Sequence, residues 1–111
     1  MAYEVLLTED AEKDLEELYD HLSEHDLPER ANHVFSKIAD TFSSLSKLPH
    51  RGAYPKELLA LGIREYREVF FKPYRIVYRV IGETVYVLLI ADGRRDMQTL
   101  FQRRLFSAPS H

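Results

Sequence analysis

Apolar residues change their spacing along this chain, and each spacing predicts an element. Tyr3, Val5, Leu6 and Leu7 crowd into YEVLL, which predicts a short buried strand over 3–7. Thr8 offers a side-chain oxygen to cap a helix. Glu9 and Asp10 follow in the first turn, where the helix dipole favours anions. Ala11, Leu15, Leu18 and Leu22 recur at spacings of four, three and four, which predicts a helix over 9–25 with one apolar face. Leu27–Pro28 ends it, because a residue before proline is pushed out of helical geometry.

Pro28 suits the first position of a second helix over 28–47, with Asp26 and Glu29 placed for a reciprocal cap. Ala31, Val34, Phe35, Ile38, Phe42 and Leu45 form its apolar stripe. So short a link makes the two helices an antiparallel hairpin, whose stripes need a sheet to bury them. Residues 48–62 carry two prolines and two glycines and read as a surface loop with one helical turn at KELLA.

Alternation then takes over. IREYREVFF (63–71) predicts a half-exposed strand, and Lys72–Pro73 a turn. Tyr74, Ile76, Tyr78 and Val80 alternate with Arg75, Val77, Arg79 and Ile81 in a second strand. Gly82–Glu83 fits a two-residue hairpin turn with glycine first. TVYVLLIA (84–91) is apolar on both faces, as a central strand is. Met97, Leu100, Phe101 and Leu105 return to helical spacing in a short C-terminal helix, and SAPSH at 107–111 is expected to fray. The fold class is therefore α/β (α+β): an N-terminal strand, a helical hairpin covering one face of a mainly antiparallel sheet, and a short C-terminal helix.

Composition narrows this reading. A chain of 111 residues is long enough for one domain, 1–111, and no more. Cysteine is absent, so disulfide and thiol chemistry are excluded. No run of about 18 apolar residues suggests a membrane span. The first residues are too acidic for a signal peptide, so a cytoplasmic location is expected.

Charge is divided along the chain. Residues 1–60 hold 6 Lys/Arg and 13 Asp/Glu, a net of −7, whereas residues 61–111 hold 9 and 5, a net of +4. The overall net of −3 argues against broad nucleic-acid binding, which rests on neutralising phosphates. It leaves room for a local arginine site in the second half. Arg75 and Arg79 either serve that site or pair with Glu65 and Glu68 on the neighbouring strand. Arg94 and Arg95 follow a tight turn, a usual place for anion or partner contacts. Arg103 and Arg104 read as a solvated helix face or a partner contact. His21 and His25 are spaced to chelate a metal on a helix, but no third ligand is evident, so neither metal nor cofactor is expected. His33 reads as exposed, and His50 in the loop either stays exposed or serves the basic site as a proton carrier.

The element order, with Tyr-Arg-Ile-Val-Tyr at 74–78, Gly-Arg-Arg-Asp at 93–96 and TEDAEKDLEEL opening the helical hairpin, resembles the RelE/ParE family of type II toxin–antitoxin toxins over residues 3–105. The resemblance implies a growth-inhibiting toxin of the plasmid-stabilisation type, neutralised by a cognate antitoxin and touching DNA only through it. RelE-like members cut mRNA at the ribosome, whereas ParE-like members inhibit DNA gyrase by binding. Arg75 and Arg95 match RelE-like catalytic arginines, which would hold a scissile phosphate. The position of the family's tyrosine is Phe101, and a phenyl ring cannot move a proton. The resemblance therefore implies first a ParE-like gyrase inhibitor. Ribosome-dependent cleavage by Arg75 and Arg95 is the alternative, and a degenerate member that only binds antitoxin the next. In the first reading Arg79, Arg94, Phe101, Arg103 and Arg104 contact antitoxin or target.

Overall fold

A computed structural model describes residues 2–106. The order is β1 (Glu4–Leu7), α1 (Glu9–His25), α2 (Pro28–Lys47), α3 (Lys56–Leu59), β2 (Arg67–Phe71), β3 (Tyr74–Ile81), β4 (Thr84–Asp92) and α4 (Met97–Phe101), which runs into a π-helical turn at Gln102–Phe106. The expected fraying of 107–111 lies outside the described residues. The strands form one sheet in the order β1-β4-β3-β2. β4 pairs antiparallel with β3 and parallel with β1, and β2 closes the far side antiparallel to β3.

The local signals place the helices well. The Thr8 hydroxyl oxygen accepts from the Ala11 N–H at 3.2 Å, capping α1 as expected. At α2 the expected reciprocal cap is absent. Leu27 is the capping residue and makes no side-chain bond. Asp26 stands one position too early, so its carboxylate accepts from the Leu27 N–H and pairs with Arg30 at 3.3 Å. Gly82 turns the β3–β4 hairpin with φ 61°, the conformation that asks for glycine first.

β1 departs from the buried strand expected. It is an edge strand with Leu6 42% exposed, because the chain turns directly into α1 and no strand among the described residues lies beyond it. The strand expected at 63–71 is shortened to Arg67–Phe71. Tyr66 buries its ring beneath the sheet instead of continuing the ladder. The opposite edge, at β2, is partly shielded by the loop. Ala53 and Glu68 exchange two backbone bonds of 3.1 and 2.8 Å.

The sheet is buried on both faces, not only on the one expected. On the first face Ile76, Tyr78, Val85 and Val87 meet Ala11, Leu22, Val34, Ile38 and Leu45 of the helical hairpin. On the second, Val77, Leu89 and Ala91 meet Leu58 of α3 and Met97, Leu100 and Phe101 of α4. A bulge explains why β4 is apolar throughout. Val77 pairs with Leu89 but Tyr78 with Val87, so Leu88 is an extra residue. Parity shifts there, and Val85 and Val87 before the bulge share a face with Ile90 after it.

Candidate functional site

β3 sends Arg75, Val77 and Arg79 to the second face of the sheet. Arg75 is only 5% exposed, so its charge needs partners within the protein. It has two. Nε donates to Glu68 Oε1 at 2.7 Å, while Nη1 and Nη2 form a two-pronged contact with Glu57 of α3 at 2.8 and 2.7 Å. The Phe70 and Phe101 rings flank the guanidinium at 5.7 and 5.6 Å. Gly93 lets the arginine stem pass, since a Cβ there would stand 2.9 Å from Arg75 Cδ.

This cluster holds one cation against two carboxylates. The bond from Arg75 holds Glu57 below the usual carboxylate range. Glu68 shares the same arginine yet shifts upward, because its own burial outweighs the bond. The bond to Glu57, more than that to Glu68, holds Arg75 in its charged form.

Arg95 lies elsewhere. It is exposed and lines a groove of about 650 Å³ between α1 and the end of β4, with Glu17, His21, Asp26 and Tyr74. Arg94 is bound to Asp92 by three contacts of 2.6–3.2 Å, and this partner holds the Asp92 carboxyl low. Arg104 is a strut. β1 reaches β4 only as far as Val87, which leaves the next stretch of β4 paired with β3 on one side and open on the other. Arg104 Nη1 donates to the Leu88 carbonyl at 3.2 Å, and its other branch pairs with Asp14 of α1. The second Asp14 oxygen accepts from the Ile90 N–H at 3.0 Å.

The family described as ParE toxin of the type II toxin–antitoxin system parDE matches residues 5–97. The chain belongs to the ParE toxin family. Toxin ParE3 of Caulobacter vibrioides is 29% identical to it over 93 residues, which cover 84% of this chain and 89% of that one. A chain from the chromosomal ParDE toxin–antitoxin system of P. aeruginosa superposes with a TM-score of 0.66 at 24% identity, covering 82% of this chain and 96% of that one. A mutant of the E. coli toxin RelE in the free state gives 0.60 at 18% identity, covering 90% and 93%. Both structures share the fold of this toxin.

In this ParE-family toxin the two arginines expected to act together have different surroundings. Arg75 is enclosed in the second-face cluster while Arg95 faces the α1 groove. Arg75 is 5% exposed and held by Glu57 and Glu68, so of this pair Arg95 is the one that faces solvent. Phe101, expected as a contact for a partner, is 1% exposed and fills the core under Arg75. Arg104, expected on an open face, is spent on Asp14 and Leu88. Arg103 is exposed, as is Arg94. Arg79 reaches Glu65 at 3.6 Å and overlies the Tyr66 ring at 5.8 Å, so it stays at the surface. His21 and His25 lie with rings 4.8 Å apart, and among the described residues no third ligand completes a metal site. Asp14 and Glu57 were missed because nothing local marks them. Their partners lie 90 and 18 residues away in sequence.

Proposed function

We propose that this toxin acts by binding a protein target, DNA gyrase, and that a cognate antitoxin neutralises it. The observation that carries this reading is the commitment of Arg75 to Glu57 and Glu68. A guanidinium already held by two carboxylates has little left to offer a scissile phosphate, and the neighbouring Phe101 cannot supply a proton. Binding needs neither group. The groove beside α1 gives the antitoxin a place to seat. A second, more apolar groove between α1 and α2, lined by Leu15, Tyr19 and Phe35, gives it another, with Tyr19 56% exposed.

One observation favours an RNA-cleaving alternative. The Arg95 side chain makes no hydrogen bond or ion pair among the described residues and could meet a phosphate. One induction separates the readings. Expression of the toxin alone should arrest growth, the purified toxin should block supercoiling by purified gyrase, and primer extension should find transcripts intact. Transcripts cut at codon boundaries, with supercoiling normal, would reverse the assignment.

A further inference from the structure

Arg75, Arg94 and Arg104 are each neutralised by a carboxylate at close range. Arg67 is held just as firmly, but among the described residues only by neutral groups. Its Nη1 donates to the Gly52 and His50 carbonyls at 2.8 and 3.3 Å, and its Nη2 donates to the Tyr54 hydroxyl at 3.2 Å. The Tyr54 ring also lies 4.6 Å below its Cζ. Its position is fixed while its charge is left uncompensated.

That charge faces a notch of about 320 Å³ that Arg67 lines with His50, Arg64, Glu65 and Arg79. Arg64 is exposed and makes no hydrogen bond or ion pair among the described residues. Among the described residues Glu65 is the one carboxylate in the lining. It is 60% exposed and 3.6 Å from Arg79, a contact loose enough to exchange for another anion. Through Arg79 the notch adjoins an apolar hollow of about 280 Å³ floored by Tyr66, Ile81 and Tyr86. The notch lies at the hairpin end of the sheet. Tyr74, beside the α1 groove, is five residues up β3 from Arg79, about 17 Å at the usual strand rise.

We propose that the notch formed by His50, Arg64, Arg67 and Arg79 binds an acidic protein segment, whose carboxylates replace Glu65 and whose adjoining apolar side chain enters the Tyr66–Tyr86 hollow. The proposal rests on the binding reading above for one point only, that the segment belongs to the target. Charge selects a protein over a nucleic acid. The toxin is net acidic, which disfavours a long polyphosphate that must run over its surface beyond the notch. Three guanidiniums in one compact notch match a few carboxylates in two-pronged contacts, not an extended backbone.

The test uses the whole toxin and a fluorescein-labelled peptide of glutamates flanking one phenylalanine, followed by anisotropy. The wild type should bind it, more weakly as salt rises. The double variant Arg64→Glu, Arg79→Glu should bind about tenfold or more weakly, since like charges now face the peptide. Its circular dichroism and urea midpoint establish that it is folded, and Arg67 is left intact because it pins the loop. Glu65→Gln should shift affinity the other way, by about two- to threefold, as a surface competitor is removed. Single-stranded oligouridine should not displace the peptide. Failure of the wild type to bind, equal binding by the double variant, or displacement by oligouridine would each overturn the proposal. Supercoiling assays on both proteins keep it apart from the gyrase reading. Charge-dependent peptide binding without gyrase inhibition removes gyrase and leaves the notch. Gyrase inhibition that is indifferent to the charge reversal removes the notch as a target contact.

Discussion

Arg75 matches a RelE-like catalytic arginine in the sequence, and in the structure it is a buried tie between α3, β2 and β3. A buried ion pair is weak evidence of net stabilisation, but breaking one is expensive. Replacing Arg75 with methionine keeps the stem and leaves the buried Glu68 and the half-buried Glu57 without a counter-charge. Urea unfolding should show a loss of about 3–5 kcal/mol. The two glutamates then set the response to acid. The Glu57 carboxyl is lowered from 4.5 by its bond to Arg75, so its stabilisation is present above that value and fades as pH falls through the lower folded value. The Glu68 carboxyl is raised, so its contribution is fully present below 4.5 and is lost as pH rises through the higher folded value. Thermal melts between pH 3 and 7 should therefore separate two variants. The deficit of Glu57→Gln should shrink on the acid side, while any benefit of Glu68→Gln should appear only on the neutral side.

Among the elements, those set by near neighbours were legible in the sequence. Thr8 and Pro28 mark the starts of α1 and α2 because capping and proline geometry act within one turn. Gly82 marks the hairpin for the same reason. What was illegible depends on contacts distant in sequence. YEVLL reads the same whether it lies at an edge or in the middle of a sheet, and only its pairing with Thr84–Val87 makes β1 an edge. The Arg75–Glu68 contact was open to sequence reasoning, because alternation on adjacent strands allows it. Glu57 was not, since a single helical turn gives no face to read. Asp14 shows the limit most clearly. It sits among the acids of α1 with nothing to distinguish it, yet it is buried and holds both Arg104 and the Ile90 N–H. Asp14→Ala would strand a half-buried cation and a buried amide together, and urea unfolding should show a loss of about 3 kcal/mol.

At the scale of the molecule, the division of charge along the chain becomes a division in space. Helix α1 presents carboxylates, and the hairpin end of the sheet presents Arg64, Arg67 and Arg79. The family and the fold follow from features spread over the whole chain, which is why they could be read before any site was assembled. The placement of Arg75 and Phe101 depends on the second core, which no local pattern announces. The short reach of β1 has one more consequence. A toxin released from its antitoxin stays dissolved only if its open strand backbone does not recruit another copy. Asp14 and Arg104 occupy donor and acceptor positions on β4 that an incoming strand would use. They act as guards against polymerisation as well as struts. Warmed below its melting point, the Asp14→Ala protein should form thioflavin-binding aggregates sooner than the wild type, and a faster onset in the wild type would show that the edge is guarded by something else.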